Sequence, residues 1–403
     1  MTNKYIELES KVGAHNYAPL PVVLTRGEGV YVWDDQGNRY LDMMSAYSAV
    51  SHGHCHPKLV EVLRQQAGQL NIVSRAFYTD KLGPFLQKLC EVTGYERALA
   101  MNTGVEAVET AVKAARKWAY KVKGVPKDQA EIIACNGNFH GRTISIVGLS
   151  TEAQYRDGFG PFPAGLKTIP FGDADALEKA ITPNTAAFLV EPIQGEGGIN
   201  MPPAGYLKKC EEICRKHNVL LICDEIQTGL GRTGKMLCYE HEGIKPDGVT
   251  LGKALGGGIL PVSVFLTRND VMNVFTPGDH GSTFGGNPLA ASVGLAAINV
   301  LLEDGLIQNA VKMGEYFQES LRNLKSPLVK DVRGKGLLIG LEIDKRVPAH
   351  SLVLDLLKHG VLTKETHGTV IRLAPPLIIT TEQVDVAVAA INAVLSQAVS
   401  SVA

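Results

Sequence analysis

Apolar residues recur along the chain in two rhythms. After Pro57, the positions Leu59, Val62, Leu63, Gln66, Ala67 and Leu70 repeat at helical spacing, with the proline near the helix start. From about residue 98, short and nearly unbroken apolar runs take over, at 98–101, 132–135, 186–190, 219–223, 248–251 and 261–266. Helical stretches separate several of them, at 105–120 and most clearly at 207–217. Continuous apolar strands alternating with helices predict a mainly parallel sheet covered on both faces. Upstream, Val30 to Asp34 and Tyr40 to Asp42 flank Gly37-Asn38, which predicts two short strands about a turn. Downstream, a helix is expected from Asn287-Pro288 to about residue 302, with strand candidates at 336–343 and 369–373. Val384, Val388, Ile391 and Leu395 form one stripe of a final helix. These patterns predict an α/β protein. A large domain spans 50–290, and a smaller α+β domain is assembled from 1–49 and 291–403. No internal repeat, low-complexity tract or long linker interrupts them.

Composition narrows the class. A chain of 403 residues has room for two or three domains at ~150 residues each, and can bury a core without staples. Apolar residues at 45% and charged residues at 20% exclude disordered and fibrous classes. Forty basic against forty-one acidic residues leave no basic excess for nucleic acid or an anionic membrane. Seven cysteines are odd in number and sparse, which argues against a disulfide framework and for a reducing, cytoplasmic setting. Cys223 reads as a core residue, and Cys210 and Cys214 share a helix face without a second Cys or His pair to complete a metal site. His52, His54 and His56 alternate, but with no acid adjacent and Pro57 opening a helix they read as a packed loop. The segment 1–10 has neither the apolar stretch of a signal peptide nor the arginines of a transit peptide. No apolar run reaches the ~20 residues that span a bilayer.

In open parallel sheets, ligands bind beyond the carboxyl ends of the strands. The run 219–223 ends in Asp224-Glu225, and the run 248–251 ends in Gly252-Lys253 before Gly256-Gly257-Gly258. An acid and a lysine thus face one crevice, unless both are ordinary surface residues. A phosphate-binding Walker loop fits poorly, because the glycine spacing is one short and Ala254 replaces the metal-holding Ser/Thr. A Schiff-base lysine fits better, since Ala254, Leu255 and the glycines favour the desolvation that makes an amine nucleophilic. Pyridoxal phosphate is the aldehyde cofactor that such a lysine suggests. Its ring nitrogen needs a carboxylate, for which Asp224 is available. Its phosphate needs a helix start, for which Thr103-Gly104-Val105 is available. Its ring needs a flat neighbour, for which Phe139 is available, although Phe139 alone reads equally as a core aromatic.

These residues carry a resemblance. Asp224-Glu225-Ile226-Gln227-Thr228-Gly229-Leu230-Gly231-Arg232-Thr233-Gly234, followed by Leu251-Gly252-Lys253-Ala254-Leu255-Gly256-Gly257-Gly258, resembles the class III, fold-type I pyridoxal-phosphate-dependent aminotransferases. The likeness extends over essentially the whole chain. Supporting stretches include His15-Asn16-Tyr17, Ser45 to Val50, Glu191-Pro192-Ile193-Gln194-Gly195-Glu196 and Ile371-Arg372-Leu373. Within the family, the chain looks most like the members that act on ornithine with 2-oxoglutarate.

The resemblance implies that Lys253 bonds the cofactor aldehyde, Asp224 pairs with the ring nitrogen and Gln227 bonds the ring's phenolic oxygen. It implies that Phe139 stacks on the ring. Thr103, Gly104 and Val105 hold the phosphate, with Ser282 and Thr283 reaching it across the interface of an obligate homodimer. Tyr17 and Tyr47 line the substrate pocket, and Arg142 grips a distal carboxylate. Arg372 takes the α-carboxylate of the oxo acid, and Glu196 neutralises that arginine while ornithine is bound. Without the resemblance, Glu196 and Arg372 read equally as a structural ion pair. Gly197 stands where relatives often have alanine and His140 where they often have an aromatic; neither change removes a functional group. Acetylornithine and 4-aminobutyrate are the nearest alternative amine donors. Gly229 to Gly234 also matches a dinucleotide fingerprint, the mark of a nicotinamide-dependent dehydrogenase, though no long helix is expected after it. A non-enzymatic binding module leaves the convergence of Lys253, Asp224, Thr103 and Arg142 unexplained.

Overall fold

After a short N-terminal helix, Lys4–Val12, come three short antiparallel strands, β1 (Leu24–Glu28), β2 (Tyr31–Asp34) and β3 (Arg39–Asp42). The structure is a computed structural model that describes residues 3–402. Met1, Thr2 and Ala403, at the outer ends of the terminal segments, lie outside the described residues.

The central sheet holds seven strands: β4 (Arg97–Met101), β5 (Glu131–Cys135), β6 (Leu166–Ile169), β7 (Thr185–Val190), β8 (Leu220–Asp224), β9 (Gly248–Leu251) and β10 (Ser263–Thr267). Their order is β4-β10-β9-β8-β7-β5-β6. All pairs are parallel except those of β10, which runs antiparallel to both β4 and β9. The short connection from Gly252 to Val262 explains that reversal, because a parallel crossover needs a dozen or more residues. Strands β7 to β10 are buried along their whole length, as expected of a sheet covered on both faces. Of these seven strands, β6 alone is not among the predicted runs. Leu166-Lys167-Thr168-Ile169 has only two apolar residues, because β6 lies at the sheet edge and meets water.

The helix expected at 105–120 runs Gly104–Trp118 and continues as a π-turn, Ala119–Lys123, stopped by left-handed Gly124. Helices Leu82–Thr93, Leu306–Arg322 and Ala349–Lys358 add to those expected. The stretch 229–234 is a turn, and only a short 3-10 segment, Cys238–Glu242, follows it. It therefore lacks the strand-to-helix setting of a dinucleotide site.

Toward the C-terminus, β11 (Val329–Lys335) and β12 (Leu338–Ile343) pair antiparallel. Strand β13 (Val361–Leu362) instead joins β3 in parallel, tying the C-terminal part of the chain to its start. Strands β14 (Lys364–Thr366) and β15 (Val370–Leu373) complete the second sheet in the order β11-β12-β15-β14. Among the described residues no single helix is long and apolar enough to cross a membrane. The adjacent helices Pro288–Glu303 and Leu306–Arg322 are apolar together, but they bend by 59° at their junction and contribute Ile298, Leu301 and Phe317 to the core.

The sheet sets where a site can lie. From β5 the chain moves outward to β6 and then returns past β5 to β7, so the connections diverge there. In such sheets the crevice opens at the carboxyl ends of the strands.

Candidate active site

Five strand ends deliver the candidate residues. The helix start Gly104 follows β4, Phe139 and His140 follow β5, and Glu191 follows β7. Asp224 ends β8, and Lys253 follows β9. A cleft of about 170 Å³ is lined by Gly104, Phe139, Glu191, Asp224, Gln227 and Lys253, among others. Its floor is tight. A Cβ added to Gly104 would stand 3.0 Å from Ile226 Cδ1, so glycine lets the helix start come this close without displacing that side chain.

Lys253 opens the turn Lys253–Gly256 with φ 45°, a left-handed conformation that costs a side-chain-bearing residue about 1–2 kcal/mol. Burial pulls its ammonium from 10.5 down to about 8. Glu196 and Asp224 oppose that fall and Arg372 adds to it. Asp224 is fixed at both oxygens. Oδ1 accepts the Ile226 N–H at 3.1 Å and the Thr250 hydroxyl at 3.0 Å, and Oδ2 lies 2.7 Å from His140 Nδ1.

His140 is fully enclosed. Burial opposes its protonation, but the Asp224 carboxylate outweighs that and raises its pKa. The residue that looked like a neutral replacement is therefore a partner of the site's acid. Glu191, also missed, is buried and accepts the Phe139 N–H at 3.0 Å. Burial pushes its carboxyl up to about 7, with Asp224 adding and His140 opposing.

Glu196 and Arg372 do pair, Arg372 Nη1 donating to Glu196 Oε1 at 2.6 Å. Gln227 Nε2 donates to the same oxygen at 3.0 Å, linking this pair to the cleft of Lys253. Gly195 makes the approach possible, since a Cβ there would fall 1.5 Å from Gln227 Oε1. Burial acts to raise the Glu196 pKa, but Arg372 and Lys253 prevail and hold it low. Arg372 Nη2 also donates to Ser48 Oγ at 3.4 Å, and its guanidinium lies 5.6 Å from the centre of the Tyr47 ring. Tyr47 and Ser48 belong to a left-handed turn in which Ser45, Ala46, Tyr47 and Ser48 all have positive φ. Asp42 caps it, Oδ1 accepting the N–H groups of Met44 and Ser45, while Oδ2 lies 2.8 Å from His54 Nε2. His52 instead bonds the Ala297 carbonyl and His56 faces Asp304, so the three alternating histidines go to separate partners.

Tyr17 and Arg142 meet in an adjoining chamber of about 310 Å³. Arg142 lies 5.3 Å from the Phe139 ring centre, so the chamber abuts the cleft. The phosphate group of candidates is more spread out. Gly104 and Val105 line the cleft, whereas the exposed Thr103 hydroxyl is 3.2 Å from Glu106 Oε2, which also accepts the N–H groups of Asn102 and Thr103. Ser282 Oγ accepts from Asn102 Nδ2 at 2.8 Å, next to this helix start, and Thr283 is exposed on the same loop. Neither Ser282 nor Thr283 lines the cleft.

This donor set fits pyridoxal phosphate: a lysine of lowered pKa, a fixed carboxylate, a helix N-terminus, a flat aromatic and an unpartnered amide oxygen, Gln227 Oε1. Residues 12–395 match the family described as aminotransferase class III. The chain belongs to the class III aminotransferases. This aminotransferase is 55% identical to the ornithine aminotransferase of an Exiguobacterium species over 400 residues, 99% of each chain. Its fold is that of the Toxoplasma gondii ornithine aminotransferase crystallized with oxidized glutathione, which has pyridoxal phosphate at partial occupancy in its active site. The TM-score is 0.96 and the identity 46%, over 98% of this chain and 93% of that one. The acetylornithine aminotransferase of Elizabethkingia anophelis matches with a TM-score of 0.89 and 48% identity, over 98% of each chain. The aminotransferase thus has fold type I and uses pyridoxal phosphate.

Proposed function

We propose that the chain transfers the δ-amino group of L-ornithine to 2-oxoglutarate, giving glutamate and glutamate-5-semialdehyde, which closes to pyrroline-5-carboxylate. The observation that carries this reading is the Glu196–Arg372 pair at 2.6 Å beside the lysine cleft. Ornithine carries an α-carboxylate that a free buried arginine would draw toward the reacting centre. With Glu196 neutralising Arg372, the δ-amine enters instead. 2-Oxoglutarate brings two carboxylates, and it frees Arg372 for the α-carboxylate while Arg142 grips the distal one through its planar fork.

Pyridoxal phosphate, when bound, supplies an aldehyde for the incoming amine and a cationic ring that draws electrons from the reacting carbon. Asp224 keeps the ring nitrogen protonated, and the bonds from Thr250, Ile226 and His140 keep Asp224 aimed. Phe139 offers its ring face and Gln227 its amide. Thr103, Gly104 and Val105 receive the phosphate, together with Ser282 and Thr283 across a homodimer interface. Lys253 Nζ, neutral above pH of about 8, takes the proton from the substrate carbon and returns it. Tyr17 bonds the α-end of ornithine, and Tyr47 walls the pocket.

The homodimer reading is supported by an exposed apolar face. Leu70, Phe77, Tyr78 and Phe284 are open to water, and Ile72 and Phe284 line an apolar hollow beside Asn102. A panel of amine donors with 2-oxoglutarate, with pyrroline-5-carboxylate trapped as it forms, tests the assignment. Ornithine is expected to outperform N-acetylornithine and 4-aminobutyrate. Equal or better use of N-acetylornithine overturns the choice of donor.

A further inference from the structure

We infer that Tyr155 is a positioning residue that sets dicarboxylate selectivity by holding Arg142 against the face of its ring. The Arg142 guanidinium lies 3.5 Å from the Tyr155 ring centre and 5.3 Å from that of Phe139. The two rings meet edge to face at 6.2 Å and 83°. Arg142 makes no ion pair and no side-chain hydrogen bond among the described residues, and its guanidinium lies over these rings. Stacking uses the flat face of a guanidinium and leaves the in-plane N–H groups free. A carboxylate needs those groups for bidentate binding. An acidic anchor would orient the arginine equally well, but it would compete with substrate; a ring does not.

The ring itself is anchored. Tyr155 lies on the short helical turn Ala153–Arg156. Its neighbour Arg156 donates to the carbonyls of Gly148 and Ser150 at 2.8 and 2.9 Å, and stacks 4.6 Å from the Phe162 ring. Tyr155, Arg142, Asn16, Tyr17, Ile144 and Phe159 share the chamber beside the cofactor cleft. This inference rests on the assignment of Arg142 to a distal carboxylate.

The test compares Tyr155→Leu and Tyr155→Phe with the unaltered holoenzyme. It measures turnover with 2-oxoglutarate and with pyruvate, which lacks a distal carboxylate, and the affinity for glutarate by calorimetry. For Tyr155→Leu, KM for 2-oxoglutarate and Kd for glutarate should rise roughly three- to thirty-fold, the range of a cation–π contact. Its kcat, and kcat/KM for pyruvate, should stay within about two-fold. Tyr155→Phe keeps the ring and should restore both affinities. Equal losses with 2-oxoglutarate and pyruvate would mean a merely structural role and overturn the inference, as would unchanged glutarate affinity in the Leu variant. Glutarate binding needs no ornithine, so a failed choice of amine donor leaves this result readable.

Discussion

The cofactor cleft and the substrate chamber touch at Phe139, yet they are built on different principles. In the cleft, Asp224 and Lys253 stand at or just beyond the ends of adjacent buried strands, and Asp224 has hydrogen-bond partners on both oxygens. In the chamber, Tyr17 is 72% exposed and Arg142 lies over ring faces with no ion pair or side-chain hydrogen bond among the described residues. The chemistry needs fixed charge at one place and so uses the sheet. Substrate choice needs a cation that can meet different partners, and so uses loops laid against the sheet. Changes in the cleft should therefore remove turnover, whereas changes in the chamber should shift preference.

The largest effect is expected at the cleft's lysine. Lys253→Ala removes the amine that bonds the aldehyde and moves the proton, so turnover and the visible absorbance of the holoenzyme should both disappear. Measurable turnover in that variant would remove the basis of the comparison, because the cleft would no longer be where the reaction occurs.

A second change sharpens it. His140→Phe keeps a flat ring in the fully enclosed site but removes the hydrogen bond to Asp224 Oδ2. A hydrogen bond to a charged group contributes about 1.5–3 kcal/mol, so kcat should fall roughly ten- to hundred-fold. The KM for 2-oxoglutarate should change little, the opposite of the pattern for Tyr155→Leu. A variant with unchanged kcat and raised KM would show that the two regions are not separable in this way.

The same divide decides what could be read from the chain. Asp224 and Lys253 were legible because each terminates a buried apolar run, and polar residues in that place meet a ligand. Glu196 and Arg372 were legible only through resemblance, since they come from a loop after β7 and from β15, far apart in sequence. The partner of His140 is not legible, because nothing local signals an acid 84 residues away. Tyr155 lies in a polar surface segment with no periodicity, so its stacking on Arg142 had no local signature. Strand β6 is hidden for a related reason: at the edge of the sheet, Lys167 and Thr168 interrupt the apolar run. Long-range pairing and edge position are what a one-dimensional pattern loses.

The smallest effect concerns the turn that packs against Arg372. Residues Ser45 to Ser48 have φ of 47°, 46°, 60° and 72°, with no glycine among them to signal it. Left-handed backbone costs about 1–2 kcal/mol at each such residue. The turn persists because Asp42 caps its start and because Ser48 and Tyr47 meet Arg372 at its end. Ala46 is exposed and contributes no side chain to the pocket. Ala46→Gly should relieve that residue's strain while giving the unfolded chain about 0.4–1 kcal/mol more entropy to lose. The remainder favours the glycine by about 0.5–1 kcal/mol, which raises Tm by roughly 1 °C for a chain of this length unfolding as one unit. Its kcat should be unchanged, because the caps and Arg372, rather than Ala46, hold Tyr47 and Ser48 in place. A stabilised variant with reduced kcat would mean that the strain itself keeps the turn pressed against the arginine, and that the rigidity of the cleft extends into the loop.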